Sequence, residues 1–175
     1  MRTLSAQAPD TVSIAAIARE AGISRPAFYA QFPDLDSLAI ALLTDAFNEI
    51  GAADLRNREG DHDRRSAARV AARALTEHID AHRAFYRASL EWKVGSVVHE
   101  TVAAAFARHA RDSLLLYPED TTPEEWSAQS HDLATYIGGG CLALLTSWLR
   151  EDPPCTPEAM TERLLAVMPR RLVGD

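Results

Sequence analysis

The sequence has little of several things, and each shortage narrows the reading. Two cysteines in 175 residues, Cys141 and Cys155, are too few for a disulfide framework and stand at no metal-ligand spacing. No apolar run approaches the roughly 18 residues of a membrane span. The N-terminus also lacks the charged-then-apolar pattern of a secretory leader, so a cytoplasmic protein outside the membrane is expected. β-Branched alternation is absent, which argues against strands. Lysine is nearly missing: Lys93 stands alone beside 17 arginines. No glycine-rich phosphate loop, nucleophile elbow or acid/base pair is present, so neither an enzyme nor a cofactor is expected.

What remains is ordinary globular composition, 47% hydrophobic and 25% charged. The net charge of −7 argues against a protein that coats nucleic acid. That charge is uneven. Residues 1–50 carry three arginines against six acids, residues 51–111 eleven basic groups against eight acids, and residues 112–175 four arginines against eleven acids. The acidic part is therefore the C-terminal third.

The apolar period is helical nearly throughout, predicting an all-α fold. Helices are expected near 12–20, 24–31, 35–57, 64–81, 83–93, 96–115, 123–149 and 156–168, the last ending at Pro169. Thr122-Pro123-Glu124-Glu125 spells a capping box with proline at the first helical position, and Thr156-Pro157-Glu158 repeats the threonine cap. Asp34 and Asp63 are further candidate caps. Arg58 to Asp63 reads as a polar loop.

One segment carries chemistry. Ile14, Ile17, Ala18 and Ala21 form an apolar stripe, Gly22 stops the helix, Ile23 plugs the turn, and Ser24 caps a short second helix whose Phe28 and Phe32 face inward. This is the pattern of a helix-turn-helix, in which the start of the second helix enters the major groove.

Ile17-Ala18-Arg19-Glu20-Ala21-Gly22-Ile23-Ser24, with Phe28-Tyr29, Phe32 and Leu38, resembles the DNA-binding signature of TetR-type (tetracycline-repressor-like) regulators. His82-Arg83-Ala84-Phe85-Tyr86-Arg87, Tyr136-Ile137-Gly138-Gly139-Gly140 and Trp148-Leu149 more loosely resemble the branch that includes the dihydroxyacetone-kinase regulator. The resemblance implies a helix-turn-helix domain over 1–47 and an effector-binding and dimerisation domain over 48–175. It implies a homodimer, an operator DNA partner and a small-molecule effector. Ser24, Arg25, Pro26, Ala27, Tyr29 and Gln31 then fall at the DNA, with Arg25 the best reader of a guanine and Tyr29 on a phosphate. Three departures stand out. Gln31 replaces the usual His, and Leu35 between Asp34 and Asp36 replaces a usual Lys. Only ten residues precede the motif, where the family carries a whole helix. Weak operator binding is therefore expected, and two functions stay open: a ligand-released repressor, or a dimeric small-molecule-binding protein that has lost effective DNA binding.

In the C-terminal part, Leu133, Ile137, Gly139, Leu144, Leu145, Trp148, Met160, Leu164 and Met168 are expected at a dimer interface built from the last two long helices. An intramolecular core is the plainer alternative. The three successive glycines call for a close helix crossing or a kink. Phe85, Tyr86, Leu90, Trp92, Val102, Phe106, Trp126 and Tyr136 are the candidates to line a largely apolar effector pocket. His78 and His82 are spaced for a metal but are expected to be solvated, so no metal site is assigned.

Overall fold

The computed structural model describes residues 13–60, 63–91, 95–118 and 122–174. Every regular element among them is a helix: α1 (Ile14–Ala21), α2 (Arg25–Gln31), α3 (Leu35–Glu59), α4 (Arg64–Ala81), α5 (Arg83–Ser89), α6 (Gly95–Leu115), α7 (Pro123–Arg150), α8 (Pro157–Val167) and α9 (Arg170–Val173). The expected all-α fold is what forms.

The caps place the boundaries. Ser13, Ser24, Asp34, Asp63, Thr122 and Thr156 each accept a backbone N–H from the first turn of the following helix. At Thr122 the Glu125 side chain also accepts from the cap's own N–H, completing the capping box. Gly22 closes α1 at φ +68°, in the left-handed region.

Three expectations fail at the edges. Arg58 is not in a loop, because α3 runs on through Glu59. The helix before Pro169 ends at Val167, close to where it was expected to, but it is not the last one, and Pro169 does not end the helical chain. It stands before α9, whose Leu172 and Val173 are buried. Ile23 does not plug the turn and is 45% exposed.

The broadest pairing is α6 against α7, with α3 laid across α6 and α4, and α4 against α8 and α9. Gly138 explains how close α6 and α7 come. A Cβ there would lie 2.7 Å from the Ala103 carbonyl oxygen and 2.9 Å from the Ala107 nitrogen. Gly139 and Gly140 face open space, and α7 continues through all three without interruption. Of the two expected uses for the glycines, the close crossing holds, and only Gly138 serves it.

The core centres on Leu114, Trp148, Met160 and Leu164, each fully buried. Between α4 and α8 the buried hydroxyls of Thr76 and Thr161 meet at 2.8 Å, so a polar pair is satisfied inside an apolar contact. The expected division at 47/48 falls within α3. Leu43 and Phe47, on its near side, already belong to the main core.

Candidate functional site

The helix-turn-helix presents one polar face. Ser24, Arg25, Pro26, Ala27, Tyr29 and Gln31 are all exposed on α2 or its cap. Ser24 Oγ accepts from the Ala27 N–H at 3.2 Å, which fixes the first turn. Beneath them Phe28 is 2% exposed, with Phe32 at 5.8 Å and the Tyr29 ring edge-on at the same separation. The apolar ring thus anchors α2, and Tyr29 is left outward at 48% exposure. Leu35 opens α3 between Asp34, spent on the cap, and Asp36.

Two of the cavities lie among the helices of the body, with no residue of α1 or α2 in their described walls. The first, about 80 Å³, is enclosed by α3, α4, α6, α7 and the chain end near Met168 and Leu172. The second, about 150 Å³, lies between α3, α5, α6 and α7. Phe47 borders both. Of the expected effector residues, Tyr86, Leu90 and Val102 line the second cavity, and Phe106 lines the first. Phe85 is buried but borders neither. Trp126 packs under the chain end, beneath the Arg171 guanidinium. Tyr136 points outward at 73% exposure, so it belongs to no cavity. Trp92 lies outside the described residues.

The first cavity has a polar end that the sequence reading missed. Asp54 Oδ2 accepts from Arg58 Nε at 2.8 Å, Ser113 Oγ at 3.3 Å and His109 Nε2 at 2.8 Å. Arg58 Nη1 donates to the Leu172 carbonyl at 2.8 Å. The Asp54 and Arg58 side chains are both only 3% exposed. Burial pushes the Asp54 carboxyl up. Hydrogen bonds and charge from His109 and Arg58 outweigh that and hold it below its ordinary 3.8. The other oxygen, Oδ1, is buried with no hydrogen-bond partner among the described residues. Gly51 makes the cluster possible, because a Cβ there would lie 2.9 Å from His109 Nδ1. A signal was present in the sequence. The apolar stripe Leu43, Phe47, Ile50 continues at helical spacing into Asp54 and Arg58, which puts a charged pair where core residues are due.

His78 and His82 are half-buried rather than solvated. His78 Nε2 meets the Tyr86 hydroxyl at 2.8 Å, and His82 Nδ1 meets the His78 carbonyl at 2.9 Å. Cys141 is a core residue on the wall of the first cavity, its thiol pushed up to about 11 by burial.

Most of the residues expected at a dimer interface are buried or partly buried within the protomer itself. Ile137, Leu145, Trp148, Met160 and Leu164 are between 0% and 6% exposed within the protomer, where α7 packs chiefly on α6 and α8 chiefly on α4. Leu133, Leu144 and Met168 are partly buried against that core, and Met168 lines the first cavity. Only Gly139 is exposed. An apolar stripe of helical period is the same whether it meets its own chain or another, and here its own chain claims it.

Residues 1–42 match the family of bacterial regulatory proteins, tetR family, and residues 70–170 match a transcriptional regulator C-terminal region. With the helix-turn-helix and the helical body behind it, the chain belongs to the tetR family of DNA-binding transcription regulators. Among individual proteins it is similar to the HTH-type transcriptional regulator EthR of Mycobacterium tuberculosis (strain ATCC 25618 / H37Rv). The two are 27% identical over 153 residues, covering 85% of this chain and 71% of EthR. The EthR of Mycobacterium bovis (strain ATCC BAA-935 / AF2122/97) gives the same figures. These families and relatives are regulators rather than enzymes. No helix among the described residues is long and apolar enough to cross a membrane.

Proposed function

We propose that the chain is a cytoplasmic, homodimeric repressor that a small, largely apolar effector releases from a palindromic operator. The observation that carries this is α3. It starts at the Asp34 cap directly behind the DNA-facing helix and runs without a break to Arg58, past the walls of both cavities. A ligand that wedges between α3 and α6 acts on the helix that α2 leads into through Phe32, Pro33 and the Asp34 cap. It therefore biases the spacing of the two motifs in a dimer by its unequal affinity for the two arrangements.

In this reading residues 1–47 read DNA and residues 48–175 bind effector and dimerise, sharing α3 between them. Arg25 reads a base and Tyr29 holds a phosphate. Arg25→Ala is expected to lose about 1–3 kcal/mol of operator binding and to relax the preference at one base pair. Footprinting and competition gel shifts measure both, and unchanged affinity and preference remove Arg25 from the interface.

One observation favours the second reading, a ligand-binding protein without effective DNA binding. Asp34 and Asp36 flank Leu35 at the start of α3, next to the DNA-facing helix, and bring negative charge where phosphates must approach. Under that reading the chain protects no operator at physiological salt but still binds its small molecule. Tight, sequence-specific gel shifts exclude it.

A further inference from the structure

We propose that the Asp54 cavity takes a small neutral molecule, apolar along its length, with one hydrogen-bond donor, a hydroxyl or N–H, at the end that meets Asp54 Oδ1. This rests on reading the internal cavities as the effector site and adds the chemistry of what enters. Asp54 is 3% exposed, so its two oxygens have no bulk solvent to fall back on. Oδ2 is fully engaged by Arg58, His109 and Ser113, whereas Oδ1 has no partner among the described residues. A buried carboxylate oxygen left unpaired is costly, and the natural relief is a donor arriving from the cavity.

The rest of the wall sets the other half of the specificity. Phe47, Ile50, Leu75, Phe106, Ile137 and Cys141 offer carbon and sulfur surface. Charge decides against ionic ligands. Arg58 already balances Asp54 at 2.8 Å, so a cation would bring an uncompensated charge into the core. An anion, or a group with lone pairs only, would face the lone pairs of Oδ1. Size restricts the ligand as well. An engineered core cavity of about 150 Å³ accepts benzene, and this one is about 80 Å³. The first occupant is therefore a short chain. A five-carbon alcohol, with as many heavy atoms as benzene, also needs Phe47, which walls both cavities, to rotate and open the space toward the second one.

The test compares two isomers on the full chain by titration calorimetry, 1-pentanol and butyl methyl ether. They have the same atoms, but the ether has no O–H. The expected result is pentanol binding at least tenfold more tightly than the ether. In Asp54→Asn the amide oxygen keeps Arg58 and the amide N–H faces the cavity, so that ratio is expected to vanish or reverse. Equal affinity for the two isomers in the unaltered chain overturns the donor requirement and leaves the effector cavity standing. A pentanol preference that survives Asp54→Asn overturns the assignment to Asp54. Binding of neither isomer, in the unaltered chain and in Phe47→Ala with the cavities joined, overturns both the inference and the effector reading beneath it. If circular dichroism shows Asp54→Asn unfolded, the isomer ratio of the unaltered chain decides alone.

Discussion

Asp54 and His78 titrate in opposite charge senses yet push stability the same way. Burial and the neighbouring His82 lower the His78 value from its ordinary 6.5, with Glu49 pulling weakly against them. The Asp54 value lies below 3.8 once His109 and Arg58 have overcome the effect of burial. In each case the folded chain binds fewer protons than the unfolded chain between the two values, so stability is lost on acidification. The loss begins below pH 6.5 through His78 and resumes below pH 3.8 through Asp54. Thermal melts are expected to lose stability as the pH drops below His78's ordinary 6.5. His78→Gln is expected to remove that first fall and keep the acid one; a melting profile identical to that of the unaltered chain takes His78 out of the account.

Residue by residue, the local chemistry was legible in the sequence and the long-range chemistry was not. Ser24, Asp34 and Thr122 act within three residues of themselves, so their caps could be read directly. Asp54 meets His109 55 positions away, and nothing in a linear pattern pairs them. What could be read was the anomaly of charge on an apolar stripe.

At the scale of the element, helix period and capping residues placed α1 to α8 within a few residues of their observed bounds. α5 stops at Ser89 rather than near 93, and α9 was missed because Pro169 reads as a terminator although it also suits a helix start. The glycine run separates two effects that sequence alone merges. Gly138→Ala puts a methyl against the α6 backbone and is expected to destabilise by about 1–3 kcal/mol. Gly140→Ala meets nothing within 4 Å and is expected to stabilise the protomer by about 0.5–1 kcal/mol, since only the flexibility of the unfolded chain changes. Urea titrations of both variants check the pair. Equal effects in the same direction contradict the α6–α7 crossing as described.

For the whole molecule, burial in the protomer reassigns the proposed dimer face. With Ile137, Leu145 and Trp148 turned inward, the outward side of α7 carries Tyr136, Gly139, Gly140 and Ala143 at helical spacing, and Val167 on α8 is 60% exposed. Small residues there let a second helix come close, and Tyr136 supplies rigid apolar area. Ala143→Glu is expected to convert a dimer to a folded monomer in light scattering after size exclusion, with helix content unchanged. An intact dimer at micromolar concentration moves the interface elsewhere.

The bond from Arg58 to the Leu172 carbonyl spans 114 positions. On a ribosome adding about 5–20 residues per second, roughly 6–23 s separate the synthesis of these two partners. For that interval the buried guanidinium has Asp54 but not the carbonyl that completes its shell. The centre of the cavity therefore closes only once the stretch carrying Leu172 has been made. A nonsense mutation a few codons before Leu172 would leave most of the helices intact and still deny Arg58 its carbonyl partner.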